Sequence, residues 1–549
     1  MSCGGGTDPG DGIDGTPTNI GVGPQNFAMV AGEETTLKVV LLDDQGSVVP
    51  YSSLRMFTWS SNAPTVATVS NAGVVRIPPT ATAFGMATIR VSFQDLYAET
   101  QVVVGPPGVA LHVRPSQLTL TPGGRIVLQG LVETASGDRY SQYLLQFSLD
   151  GSGAHLTEQG CAITDCVGAE PDEAILFGDS PGTATVHVTG GSGSTTVPVT
   201  VRFVTFTSVT AGSGHSCGLE AGGALFCWGG LLARTPVGVD YPAGLTDIQA
   251  GVTQTCGLDP AGLAYCWRDT LNATASPIST TLHFSKLALM ESFSCGLDLS
   301  GAAWCWGEND WGQLGDGSQT PSADPVAVTG GLTFTAMTAG GKHACGITAG
   351  GAAYCWGMNF AGELGTTASM PDLCPPYSCS PAPLPVDGGH SFSQIVAGDN
   401  HTCALDTAGA AWCWGFSDKR GAGPGSDTSP PASPTPIAVA GGLVFAHLTG
   451  GPKHTCGLTS SGQAYCWGTN ADGRTGQTPS PPIGFDGSAI VLSPTLVQGG
   501  HSFSQLDAGG AHTCGLAGDG VYCWGDNGNG QIGIFQGNTQ LPVRVTGQP

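Results

Sequence analysis

The chain has 549 residues, too long for one ordinary core, so roughly two to four domains are expected. Its 41 acidic residues against 17 basic ones give a formal charge of −24, which repels nucleic acid and anionic lipid and argues against binding to either. The 87 glycines and 38 prolines, together with 40% hydrophobic content, indicate turn-rich β-structure and not disorder. No run of about 18 apolar residues offers a membrane-spanning helix, and no apolar secretory core stands near residue 1, so export has to be argued from other features.

Residues 4–24 are rich in Gly, Asp, Thr and Pro with little to bury, so residues 1–24 read as an N-terminus plus flexible tether. Cys3 stands directly before the tether. Cys, three glycines and a polar tether resemble the start of a mature bacterial lipoprotein, and the resemblance implies lipidation of Cys3. Only Met1 and Ser2 precede it, a departure from that pattern that a signal peptide left out of this sequence would explain.

Residues 25–106 carry strand patterns at 35–42, 55–60, 67–70 and 87–93 between turn signals, as a β-sandwich requires. The phrases A-G-E-E-T-T-L-K-V-V-L-L-D-D-Q-G and F-T-W-S-S-N-A-P-T-V-A-T-V-S resemble bacterial immunoglobulin-like domains of the second group. Residues 107–203 repeat the style more loosely, with T-L-T-P-G-G-R-I-V-L-Q-G and G-T-A-T-V-H-V, and read as a second, divergent copy.

From residue 204 to 549 one phrase recurs seven times, most cleanly as H-T-C-A-L-D-T-A-G-A-A-W-C-W-G at 401–415 and H-T-C-G-L-A-G-D-G-V-Y-C-W-G at 512–525. Each copy reads as two strands around a glycine turn with its cysteines opposed across the ladder. The pairs are Cys217 with Cys227, Cys256 with Cys266, Cys295 with Cys305, Cys345 with Cys355, Cys403 with Cys413, Cys456 with Cys466 and Cys514 with Cys523. In the last pair both the spacing and the turn are one residue shorter, which keeps the cysteines opposed. Opposed positions lie about 4.5 Å apart at Cα, within disulfide reach, and each short loop contributes roughly 2.5–3 kcal/mol in the chain-entropy model. Two further pairs, Cys161 with Cys166 and Cys374 with Cys379, account for every cysteine but Cys3. His401, Cys403 and Cys413 suggest zinc, but Gln254 and Phe293 take the histidine's place in the second and third copies, where a ligand would be lost. Disulfides are therefore favoured, and His215, His343, His401, His454 and His512 read as structural hydrogen-bonding residues.

Each unit continues through a turn such as G-E-N-D-W-G-Q-L-G at 307–315, a Pro-led strand such as 325–328 and a strand such as 334–337. That makes a four-stranded, blade-sized unit of roughly 50 residues. The strand at 206–209 and the one at 542–545 are expected to complete one blade together and close the ring without an open edge. G-x-x-H-x-C-x-L followed by C-W-G-x-N-x-x-G-Q-L-G resembles the repeats of the regulator of chromosome condensation, a seven-bladed propeller. Residues 231–234 and 268–271 replace the N-x-x-G-Q-L-G turn in copies one and two, so short or irregular outer strands are expected there. The fold expected is all-β: a seven-bladed β-propeller preceded by two Ig-like sandwiches.

No Gly-rich phosphate loop, H-E-x-x-H, G-x-S-x-G or EF-hand pattern occurs, and clusters such as residues 526–530 read as turns, not calcium loops. No cofactor, metal or catalytic residue is assigned. The informative positions vary between copies inside the repeating frame: Asp310 and Trp311, Phe360 and Ala361, Asp418, Lys419 and Arg420, Ala471 and Asp472, Gly528 and Asn529. They fall in corresponding turns and should line one ring face, with exposed Trp311 and Phe360 as anchors and Tyr377 displayed on the loop between Cys374 and Cys379. The expectation is an exported, surface-anchored or secreted, monomeric binding or adhesion protein, its sandwiches a stalk and its propeller the binding surface.

A protein ligand comes first and a cell-surface glycan second, with the membrane touched only through the lipid. The family resemblance extends to secreted bacterial propellers that inhibit β-lactamases, which implies the same order. The alternative, a secreted hydrolase or lyase acting on a cell-surface polymer, needs carboxylates or histidines converging near the central channel, and spacing alone identifies no such trio. The family's guanine-nucleotide exchange role is opposed by the charge and by disulfides, which do not suit a reducing compartment.

Overall fold

Strands joined by glycine turns form the regular structure of the chain. The computed structural model describes residues 17–549 apart from 24–26, 30, 52–55, 80–84, 105–109, 115, 134–138, 141–144, 158–172, 191–192, 231–233, 240–243, 253, 269–275, 291, 369–373, 375–377, 417–431 and 479–488. Among the described residues it holds β-strands and no α-helix. Two compact units divide the chain, 1–120 with 125–201 and 121–124 with 202–549.

In the N-terminal unit the expected strands are present as Glu34–Thr36, Lys38–Leu42, Thr58–Ser61, Thr68–Val69 and Gly85–Phe93. One sheet runs Phe27–Met29, Leu96–Val104, Gly85–Phe93, Thr58–Ser61, and alternate residues Ala87, Ile89 and Val91 point into a core with Trp59. Residues 19–23, expected to belong to the tether, form a strand. Asn19–Gly23 runs antiparallel to Lys38–Leu42, and Ile20 and Val22 enter the same core; two apolar side chains at period two suffice to dock so short a segment. Residues 110–201 build two further sheets, Ala110–Arg114, Arg125–Glu133, Glu173–Gly178, Ala154–Thr157 and Gln146–Gly151, Gly182–Gly190, Gly193–Val201, Leu118–Leu120. Cys3, Cys161 and Cys166 lie outside the described residues.

In the C-terminal unit one antiparallel order recurs. The run Phe503–Ala508, His512–Ala517, Gly520–Gly525, Thr539–Arg544 goes from inner strand to outer strand in chain order. Corresponding runs open with Phe206–Ala211, Asp247–Ala250, Phe284–Leu289, Phe334–Ala339, Phe392–Ala397 and His447–Gly451; they are numbered first to seventh along the chain, Phe503–Ala508 opening the seventh. The expected sharing of one sheet between the two ends does not occur. Phe206–Ala211 pairs with His215–Glu220 and Thr539–Arg544 with Gly520–Gly525, so each end pairs with its sequence neighbour and not with the other end. The first and seventh sheets are joined instead through side chains, as Val209 N and O both bond the Gln505 amide at 3.1 and 3.0 Å.

The repeat cysteines are opposed in register and bonded. Cys217 joins Cys227 with a Cα separation of 4.0 Å, and Cys514 joins Cys523 at 4.1 Å across the shorter turn. Between them Cys256 is bonded to Cys266, Cys295 to Cys305, Cys345 to Cys355, Cys403 to Cys413 and Cys456 to Cys466. The loop pair Cys374 and Cys379 is bonded likewise. The outer strands of the first and second sheets, Val237–Gly238 and Ser276–Pro277, have two residues each against seven in Ala432–Ala438, the shortening expected where the turn motif is missing.

Candidate functional site

In the third, fourth, sixth and seventh sheets the turn after the third strand is built by its asparagine. Asn309 Oδ1 accepts the Leu314 N–H at 2.9 Å, and Asn359, Asn470 and Asn527 do the same for Leu364, Thr475 and Ile532. The next glycine has positive φ, +73° at Gly312 and +89° at Gly362, where a Cβ would sit 2.5 Å from the Cα of Pro381 and Pro434 in the following sheet. Only glycine permits that approach. The following carbonyl caps the next sheet's tryptophan: Gln313 O accepts Trp356 Nε1 at 3.0 Å, Glu363 O accepts Trp414 at 2.8 Å, and Arg474 O and Gln531 O accept Trp524 and Trp228 at 3.0 Å. Most of the motif is thus a wedge between sheets. Of the variable pair between asparagine and glycine, the first residue faces outward in all four of these turns.

Asp310, Ala471, Gly528 and Asn529 are exposed and Phe360 is 51% exposed. Trp311 is only half-buried and not the open anchor expected; its backbone N–H donates to Gln313 Oε1 at 2.9 Å, as the backbone N–H of the exposed Asn529 does to Gln531 Oε1. Ala361 is buried, and Asp472 pairs with the buried Arg474 guanidinium, so neither is presented freely. Tyr377, Asp418, Lys419 and Arg420 lie outside the described residues.

The five repeat histidines are fully buried, as structural residues should be. Each reaches the next sheet through Nε2: His215 to Thr255 at 2.7 Å, His343 to Thr402 at 2.9 Å, His401 to Thr455 at 3.0 Å, His454 to Thr513 at 2.8 Å, and His512 to Ser216 at 2.7 Å. The Thr402, Thr513 and Ser216 hydroxyls donate onward to Glu363 O, Arg474 O and Gln531 O, so Nε2 carries the proton. Burial lowers His343 to about 4 and His512 to about 3, and holds His454 well below its ordinary value. The His343, His454 and His512 rings are neutral clamps.

A cavity of ≈ 370 Å³ is lined by inner-strand residues of all seven sheets. Two residues beyond the phenylalanine or leucine that opens each repeat stand Asp247, Lys286 and His447, and two further on in the seventh sheet stands Asp507. Asp507 Oδ2 accepts Thr210 Oγ1 at 2.9 Å and Ala211 N at 2.8 Å, while Oδ1 accepts Thr449 Oγ1 at 3.0 Å. Burial nonetheless raises the Asp507 and Asp247 carboxyls above the usual range and lowers His447. Sequence spacing missed this cluster because its members lie on different sheets; aligning the inner strands by their opening residue would have found it. Among the described residues no hydrogen bond joins His447 to a hydroxyl or carboxylate, so no nucleophile and base are paired there, and no group of three or more His, Cys, Asp or Glu is set to hold a metal.

Models of the regulator of chromosome condensation (RCC1) repeat match residues 334–363, 392–421, 445–474 and 503–531, and also 300–347 and 350–405. The chain is 28% identical over 172 residues to the ultraviolet-B receptor UVR8 of Arabidopsis thaliana, covering 30% of this chain and 37% of the receptor. It is 31% identical over 127 residues to the E3 ubiquitin-protein ligase HERC2 of Homo sapiens, 23% of this chain and 2% of the ligase. The chain therefore spans little more than a third of the receptor's length and a small fraction of the ligase's. Among solved structures, yeast RCC1 (Prp20) bound to Kap60 superposes with a TM-score of 0.51 at 18% identity over 61% of this chain and 85% of that one. Prp20p from Saccharomyces cerevisiae does so with 0.51 at 19% over 62% and 87%. The C-terminal unit is an all-β repeat propeller. It carries RCC1 repeats in an RCC1-like fold.

Proposed function

We propose that this chain is an exported, lipid-anchored binding protein whose seven-bladed propeller presents its turn tips to a protein partner, with a cell-surface glycan second. The two N-terminal sheet systems are taken as Ig-like spacers. The observation that carries the reading is the contrast inside each turn: a buried wedge holds a pair of residues that changes from copy to copy and reaches solvent at Asp310, Phe360 and Asn529. Rigid frames with variable exposed tips suit recognition better than catalysis. The yeast relative seen bound to Kap60 supports protein binding by such a fold. The buried disulfides support an oxidising compartment.

Two experiments test it. A photo-crosslinking amino acid at Phe360 should capture a protein from the producing organism, and the same group at Leu299, which is exposed in a turn between the second and third strands, should not; Trp311→Ala with Phe360→Ala should then weaken affinity at least about tenfold, and unchanged affinity removes the turn face. Intact mass of the protein from its own cells, alkylated before and after reduction, should show blocked repeat thiols and acyl mass on Cys3. Free thiols and an unmodified Cys3 would defeat the exported reading.

A further inference from the structure

The inner strands use polar side chains in two distinct ways. At one register position Gln394 bonds Leu448 N and O at 2.9 Å, and Gln505 bonds Val209, so each ties its sheet to the next. Further along, Thr210 accepts Ala250 N and Thr338 accepts Ala397 N, both at 3.0 Å, and Asp507 takes the same role toward Ala211. Asp247, Lys286 and His447 stand in register with Gln394 and Gln505, and among the described residues none of them ties its sheet to the next by a hydrogen bond. Among the described residues Asp247 accepts the N–H of its neighbour Ile248, at 2.9 Å, and no other hydrogen bond, and the Lys286 ammonium, whose charge is felt at Asp247, makes no hydrogen bond or ion pair.

Charges of both signs thus line one cavity, with Asp247, Lys286 and His447 exposed to its solvent, an arrangement open to a ligand that carries both signs. Two carboxylates, Asp247 and Asp507, share the cavity with one ammonium, Lys286, and with the His447 imidazole, whose pKa burial lowers. The complement is a molecule with two cationic centres and one carboxylate. A chain of charge −24 also draws such a net cation toward it. We propose that the central channel binds a dibasic amino acid of the arginine or lysine type, free or as the C-terminal residue of a peptide, its cations toward Asp247 and Asp507 and its carboxylate toward Lys286. This site is separate from the turn face and does not depend on it.

Calorimetry on the full chain tests the proposal with L-arginine, L-lysine, agmatine, which has no carboxylate, and the peptide Ala-Ala-Arg with a free or amidated end. Arginine and lysine should saturate at or below about 1 mM. Asp247→Asn and Lys286→Gln, accepted only if their melting temperatures match the parent, should each weaken arginine about tenfold. Lys286→Arg should restore it. Agmatine should respond to Asp247→Asn and ignore Lys286→Gln. Tighter binding of the free-ended peptide than of arginine identifies a peptide end as the source, and the reverse identifies the free amino acid. No saturation by about 10 mM, or binding that neither variant weakens, overturns the proposal. Removing Trp311 and Phe360 should leave this binding unchanged, so failure here and failure of the turn face are told apart.

Discussion

The seam between the seventh and first sheets and the seam between the second and third are built from the same repeat, yet they differ. At the first of these, His512 reaches Ser216, Ser216 and Trp228 both donate to Gln531 O, and Trp228 is fully buried. At the second, Gln254 replaces the histidine and bonds Ser294 at 3.2 Å, residues 268–271 lack the turn motif, and Trp306 is 9% exposed. The difference teaches what the repeat motif does. Asn, Gly and Gln of the turn are the cover of the neighbouring tryptophan, and where they are missing that tryptophan opens slightly to water.

The largest effect should come from removing a covered tryptophan. Trp356→Ala deletes a fully buried ring and its bond to Gln313 O, and should cost about 3–5 kcal/mol. Trp306→Ala, at the less complete seam, should cost about 1 kcal/mol less, since part of its surface is already wet. Denaturant melts of the two variants sharpen the comparison; equal losses would mean that the cover contributes nothing.

Acid provides the next test. His343 is lowered from 6.5 to about 4 by burial, so below pH 6.5 the unfolded chain takes up a proton that the folded chain refuses. Its stability is complete above pH 6.5 and falls as pH drops toward 4, by about 1.4 kcal/mol per unit and about 3 kcal/mol over that window. Burial acts in the same direction on His454 and His512. His343→Gln, which copies the link made by Gln254, should flatten the fall of melting temperature between pH 6.5 and 4. An unchanged slope would show that the proton is taken up elsewhere.

Much of this was legible in the sequence. The seven cysteine pairs, the four-strand unit and the short outer strands of the first two sheets follow from spacing and turn chemistry, because these interactions are local. The pairing of Phe293 with Ala344 was also present there: where phenylalanine replaces the histidine, the next copy has alanine in place of the hydroxyl residue and both side chains enter one apolar cluster. Its meaning needed the knowledge that each histidine faces the following sheet. The half-burial of Trp311 was not legible, since turn spacing puts a residue at the tip without saying how much of its ring is covered. Nor was the channel cluster, whose members are dozens of residues apart and meet only when the inner strands are arranged around one cavity.

The glycine of the wedge gives a smaller effect. Gly362→Ala forces both a positive φ of +89° and a Cβ 2.5 Å from the Pro434 Cα, whereas Gly441→Ala meets only the strain of a φ of +102°, with nothing within 4 Å. About 2 kcal/mol or more is expected for the first and about 1 kcal/mol for the second. Similar melting temperatures for the two would indicate that the wedge yields easily.

The smallest change should be the one at the exposed tip. Phe360 is 51% exposed and its position in the turn is not needed by the wedge, which is held by Asn359, Gly362 and Glu363. Phe360→Ala should therefore alter stability by less than about 0.5 kcal/mol. The small value has a use, because an aromatic residue kept in water contributes little to folding, and loss of partner binding in a variant of unchanged stability would assign it to recognition. A loss of about 2 kcal/mol or more on melting would instead place Phe360 in the seam, and the distinction between a buried frame and a variable tip would fail at the copy where it is clearest.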